Sequence, residues 1–424
     1  MNPVLETDVF IPDVEARKMP NGRLYIYGSL DNSGDTEFCS TKYITYSTSD
    51  MIHWQNHGTI FDSEDPLYEL NNNLTLGGPD CLYINGKYYL YYCTYGNGMG
   101  VAVADSPAGP FKNIGPIIPA DGESIDPAIF QDDDGSIYYY WGQFNLSGGK
   151  LSADMQTVLP ETINSCIVSE HEHGFHEGAS IRKLNGMYYL VYTDISRGKA
   201  TCLAYATSEH PLGPYKKQGI IIDNAGCDSA SWNNHGSIEV YQDQLYVFYH
   251  RSSQNSMYNR RLCVEPLQLN KDGSINEVFM TSNGVSATLP GNTEISVSNL
   301  SKMKVKLPFD HLQPMSLMPC GEVEALCYTK ADDWAKFDNI DFGIKKTRFK
   351  VKVGTIKPMK VEVWIEGNKQ IGVCEISATQ NWYNIQEFTC EIDLTSGIHT
   401  VWLVFKNSRK SVGRLGDVYS FSFE

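Results

Sequence analysis

Short apolar and aromatic runs, each preceded by a two-residue turn signal, recur through the first two-thirds of the chain. Asn21-Gly22 precedes Leu24-Tyr25-Ile26-Tyr27, Asn85-Gly86 precedes Tyr88-Tyr89-Leu90-Tyr91, and Asp134-Gly135 precedes Ile137-Tyr138-Tyr139-Tyr140. Asn185-Gly186 precedes Tyr188-Tyr189-Leu190-Val191, and Gln242-Asp243 precedes Leu245-Tyr246-Val247-Phe248. Each is a β-hairpin signature, because the turn residues tolerate positive φ and the flanking runs suit a pleated strand. The turn positions 22, 86, 135, 186 and 243 are 64, 49, 51 and 57 residues apart, room for about four short strands per unit. A weaker repeat, Thr45–Asp50, Ala102–Pro107 and Ala204–Glu209, supplies third strands. Five such units predict a five-bladed β-propeller over residues 1–290, whose radial closure removes exposed sheet edges.

After Leu289-Pro290-Gly291 the aromatic hairpins stop, and a polar stretch predicts a linker over 291–302. From 303 to 424 the pattern becomes strict alternation, as in Arg348–Val353, Lys360–Ile365 and Thr400–Phe405. That predicts a β-sandwich of jelly-roll type with one face of each sheet buried. The expected class is all-β throughout.

Composition narrows the partners. The 424 residues carry 34 Lys+Arg against 50 Asp+Glu, a net charge of −16, without a basic cluster. Nucleic acid and anionic membrane surfaces are disfavoured, and no apolar run approaches the ~20 residues of a membrane span. A neutral substrate fits better; the oligomeric state is open. Met1–Glu6 lacks the features of a secretory signal, so a cytoplasmic location is expected for the chain as numbered. Eleven scattered cysteines without a CxxC pair read as reduced thiols.

The candidate chemistry lies in the carboxylates. Asp13, Asp126 and Glu177 each stand nine residues before a turn glycine (22, 135 and 186), Asp80 stands six before Gly86, and His235 eight before Asp243. All five fall at starts of innermost strands, which in a propeller converge on one mouth of the central channel. Crowded carboxylates can divide into a proton donor and an ionised base; they can also merely cap strands or bind a cation. The ends of the second strands reach the same mouth: Gly28-Ser29, Thr94-Tyr95, Trp141-Gly142-Gln143, Asp194 and His250-Arg251. Trp141 suits sugar stacking or interblade packing, and Arg251 suits hydroxyl contacts or a structural ion pair.

These motifs resemble glycoside hydrolase family 43, a family of five-bladed propellers with an Asp, Asp, Glu triad. The segment Pro12–Ala16 leading to Gly28-Ser29 is similar to the family's general-base segment, with Asp13-Val14 in place of the usual Asp-Pro. Ser124–Ala128 with Asp132–Gly135 is similar to the segment of the pKa-modulating Asp, and His176–Ala179 to that of the general acid. The resemblance implies inverting hydrolysis with Asp13 as base, Glu177 as acid and Asp126 as modulator, no catalytic cofactor, and exo removal of α-L-arabinofuranose or of β-D-xylose. It further implies that Arg251 faces the sugar and that His235 sits in the channel near a water or a calcium ion; Asp80 and Trp141, by their place at the mouth, complete the expected substrate contacts with His235 and Arg251. A non-catalytic, lectin-like propeller is the rival reading. The C-terminal region resembles a family 6 carbohydrate-binding module whose ligand-binding Asn is replaced around Leu415-Gly416, leaving Trp382 as the candidate platform. Its expected role is support of the propeller more than glycan binding. The cluster Glu170, His171, Glu172, His173 and His176 lacks the spacing of a metal motif and reads as a solvated loop, and Asp132–Gly135 as a hairpin turn.

Overall fold

Each aromatic run pairs across its turn with the strand before it. In the computed structural model, Glu15–Lys18 pairs with Leu24–Tyr27, Asp80–Ile84 with Lys87–Thr94, and Ala128–Gln131 with Ile137–Trp141. Phe175–Leu184 pairs with Met187–Asp194, and Ser237–Tyr241 with Gln244–Ser253. The structure describes residues 1–70, 73–96, 98–118, 125–306, 311–407 and 413–424; Ser124 of the Asp126 motif lies outside them. Further strands complete four antiparallel sheets of four strands, and the fifth sheet has three, ending with Ser256–Leu267. The five first strands form a ring, each beside the next and the last beside the first.

Ring closure is made by Ser237, whose Oγ accepts from the Ala16 amide at 3.1 Å and donates to the Val14 carbonyl at 2.8 Å. The N-terminal residues run along the outer strand of blade five. The Val4 amide donates to the Leu262 carbonyl at 3.1 Å, and the Asn2 side chain bonds the Val264 backbone in both directions. An edge that would otherwise expose unpaired backbone groups is covered.

Tyrosines pack between blades and satisfy their hydroxyls on neighbouring backbone, as Tyr27 does on the Pro107 carbonyl and Tyr43 on the Gly77 carbonyl, both at 2.7 Å. Below the mouth the channel is filled by paired charges. Arg17 holds Asp80 through Nε at 2.9 Å and Nη2 at 2.5 Å, while Arg182 reaches Glu15 at 2.9 Å and Glu239 at 3.0 Å. Pairing is what allows so many charges to be buried.

The C-terminal sheets enclose one apolar core, with Phe349, Val351 and Val353 inward and the intervening lysines outward. Residues 291–302, expected as a linker, are instead woven into this sandwich. Leu289-Pro290 pairs with Ile340-Asp341, Ile295-Ser296 with Phe421-Ser420, and Lys302-Met303 with Lys336-Ala335. The reason is the apolar positions hidden in the polar stretch: Ile295, Val297, Leu300 and Met303 all enter the core. The sandwich packs against blade five, where Arg261, 1% exposed, forms a two-pronged bond to Glu324 at 2.5 and 2.8 Å.

Candidate active site

Asp13, Asp126 and His235 each stand two residues before an inner strand, which begins at Glu15, Ala128 and Ser237 respectively. Both aspartates take left-handed backbone angles, φ 57° and 51°. Such angles cost a non-glycine residue about 1 kcal/mol or more and turn the carboxyls into the mouth. Blade four reaches the same point differently. Its turn is tighter, pairing Leu184 with Met187 where blade one pairs Lys18 with Leu24. Two register shifts between Phe175 and Ser180 compensate and carry Glu177 to the mouth. Gly178 follows at φ 68°, and a Cβ there would lie 2.7 Å from the His235 ring. Blade two presents Gly78 two residues before its strand; a Cβ on it would meet His235 at 2.9 Å, Asp126 at 3.1 Å and Asp13 at 3.4 Å. The glycines let three blades crowd around one imidazole.

The carboxylates are held in unlike electrostatic surroundings. Asp13 is 6% exposed, accepts from Ser29 Oγ at 2.5 Å and from Arg260 Nη1 at 2.9 Å, and faces His235 at 3.5 Å and His250 at 3.8 Å. Burial alone would raise its pKa, but Arg260, both histidines and Ser29 outweigh it and hold the carboxyl below its ordinary value. Among the described residues no arginine or lysine pairs with Asp126, and Arg260 lowers it only from a distance. Burial first, then the charges of Glu177 and Asp13, push it up to about 7 against the pull of His235, 3.8 Å away. Glu177 accepts from Gln143 Nε2 at 2.8 Å and from Asn233 Nδ2 at 3.5 Å. Asp13 is thus held ionised, while Asp126, beside Glu177, retains its proton to near-neutral pH. His250 is driven down to about 3 by burial and Arg260, and its Nε2 donates to the Asn233 carbonyl at 2.9 Å.

Three residues expected at the sugar are elsewhere. Asp80 is wholly buried: standing two residues deeper than Asp13 or Asp126, it turns into the channel and accepts from Arg17 and from the Cys81 and Ile129 amides. Trp141, 3% exposed, packs between blades two and three beside Tyr139. Arg251 points toward the sandwich, bonding Tyr249 and Glu265 and the carbonyls of Leu300 and Thr281. The site is supplied instead by His250, next to Arg251, by Gln143, two residues beyond Trp141, and by Arg260 and Asn233. Arg260 is the main omission, and it announces itself only as one of two consecutive arginines in the strand Ser256–Leu267. Among the described residues no three His, Cys, Asp or Glu side chains have metal-ligand spacing. His235 Nδ1 faces the carboxylates of Asp13 at 3.5 Å and Asp126 at 3.8 Å.

The acidic histidine cluster is a single helical turn, Glu170–His173, and His176 pairs with Glu170 at 2.8 Å. Asp132–Gly135 forms the hairpin turn, with Asp132 bonded to Lys183 at 2.7 Å. In the sandwich, Trp382 faces a guanidinium: Arg414 Cζ lies 4.1 Å from the Trp382 ring and 4.5 Å from the Tyr328 ring, and Nε holds Asp417 at 3.0 Å. The space between the two rings is filled from within.

Residues 1–275 match the model of glycosyl hydrolases family 43, and residues 316–424 that of carbohydrate binding module family 6. A xylosidase/arabinosidase of Thermoclostridium stercorarium is 29% identical over 96% of both chains. An arabinoxylan arabinofuranohydrolase of Bacillus subtilis is 28% identical over 95% of this chain and 88% of its own. Among solved structures, a family 43 β-xylosidase/α-arabinofuranosidase from a compost microbial metagenome, in a calcium-free complex with xylotriose, shares 29% identity with a TM-score of 0.57 over 66% of this chain and 97% of that one. With the propeller, the mouth of unlike carboxylates and a family model spanning most of the chain in agreement, the protein is a glycosidase belonging to glycosyl hydrolase family 43.

Proposed function

We propose that the protein removes single terminal pentose units from plant-type oligosaccharides by inverting hydrolysis, with α-L-arabinofuranose favoured and β-D-xylose as the second substrate. The observation that carries the mechanism is the electrostatic asymmetry of the mouth. Asp13, kept ionised by Arg260, accepts a proton from a water attacking the anomeric carbon. Glu177, oriented by Gln143 and Asn233 and near enough to Asp126 for their charges to interact, gives a proton to the departing oxygen. Asp13 and Asp126 are less than a tenth exposed, which suits a blind pocket for one terminal sugar over an open groove. The second substrate is retained because relatives are named for both activities. Aryl α-L-arabinofuranoside and β-D-xyloside turnover decides between them, and proton NMR of the first-formed sugar should show the anomer opposite to the substrate's. Glu177→Gln and Asp13→Asn should each lower kcat by ~10² or more with the fold intact; activity within tenfold of wild type in either overturns the assignment.

A further inference from the structure

The strands Lys369–Ile376 and Gln386–Thr395 meet where one sheet of the sandwich runs into the other, with Gly372 opposite Ile392. They approach closely there, because a Cβ on Gly372 would lie 2.5 Å from the Ile392 side chain. Two residues along each antiparallel strand from that pair, Cys374 falls opposite Cys390. Both side chains turn inward: Cys374 is buried in the sandwich core, and Cys390 packs against it from a half-buried position. The two thiols are hydrogen-bonded to one another. Directly opposed residues of antiparallel strands have Cα atoms ~4.5–5.5 Å apart, inside the range that a disulfide spans. Cys320 and Cys327 also touch, at 3.7 Å, but their register partners are Val323 and Ser316, so a bond between them would pull that hairpin out of register.

We propose that Cys374 and Cys390 are a disulfide-forming site, oxidised by a low-molecular-weight disulfide, whose bond staples the junction of the two sheets. Cys390 is the point of entry: it is the more accessible of the two, and the hydrogen bond from Cys374 holds its thiol below the ordinary value against the effect of burial. Its thiolate attacks one sulfur of the small disulfide, whose S–S bond breaks, and one small thiol leaves. The Cys374 thiolate then attacks Cys390 Sγ in the mixed disulfide, and the second small thiol leaves. The two cysteines have lost two electrons and two protons, and the reagent has gained both as two thiols. The new bond closes a loop over residues 375–389, which carries Trp382, and so removes conformational freedom from the unfolded chain.

The test takes the reduced full-length protein and its Cys374→Ser and Cys390→Ser variants into oxidised glutathione, followed by peptide mapping without reduction and by thermal unfolding. Wild type should give a peptide pair cross-linked between Cys374 and Cys390 and a Tm about 5 °C or more above that of the reduced protein, both reversed by dithiothreitol. Cys374→Ser should stop at glutathione attached to Cys390, without the rise in Tm. Cys390→Ser should show neither cross-link nor rise. In wild type, the absence of a cross-link, a cross-link from either residue to a different cysteine, or the expected cross-link without a rise in Tm overturns the proposal, as does an equal rise in Cys390→Ser.

Discussion

Asp126→Asn should stabilise the protein above neutral pH while impairing it as an enzyme. An ordinary aspartate titrates near ~3.9, and Asp126 is pushed up to about 7 by burial and its acidic neighbours. Because the folded value is the higher one, the folded state holds the proton more tightly than the unfolded chain. That contribution is fully present below about pH 4, declines as the pH rises to about 7 and is absent above it. Three pKa units correspond to roughly 4 kcal/mol, a ceiling because His235 and Arg260 lose an attractive partner in the variant. Asparagine keeps the shape without the charge. Urea unfolding at pH 4.5 and 8.5 should show little change at the lower pH and a gain of about 2–4 kcal/mol at the higher. The same variant should move the basic limb of the pH–rate profile to lower pH, since the pair loses a negative member. An equal effect on stability at both pH values, or a loss at pH 8.5, would refute the reasoning.

Arg260→Gln removes the cation that offsets the burial of Asp13, so the acidic limb of kcat/KM should move toward neutrality by ~1–3 units; a uniform loss of rate with an unmoved limb would make Arg260 purely structural. Gly78→Ala places a Cβ 2.9 Å from His235 and 3.1 Å from Asp126, and kcat should fall at least ~10-fold with the circular dichroism unchanged; kcat within twofold of wild type contradicts the crowding. Glu324→Gln leaves Arg261 buried without its counter-charge, and unfolding experiments should record a loss of about 3–5 kcal/mol; a loss under 1 kcal/mol would mean the sandwich does not brace blade five through this pair.

Hairpin turns, aromatic runs and their spacing are local properties, so the five blades, the alternating sandwich strands and the placement of Asp13, Asp126, Glu177 and His235 at inner-strand starts could be read without coordinates. The errors came where a one-residue choice of direction matters. Successive strand residues point to opposite sides, so naming His250-Arg251 as a pair located the segment but not which member faces the site. Trp141 and Gln143 part for another reason: the strand ends at Trp141, Gly142 turns the chain at φ 130°, and Gln143 reaches the acid while Trp141 stays in the core. The equal nine-residue offsets concealed unequal turns, and only the bulge before Ser180 brings Glu177 level with the others. Arg260 lies 247 residues from Asp13 in sequence, a partnership that exists because blade five closes against blade one. The amino-acid order alone determines the blades and the carboxylates they offer; which carboxylate meets a cation and which meets another acid is decided by closure of the ring, because charge interactions depend on distances that no local pattern encodes.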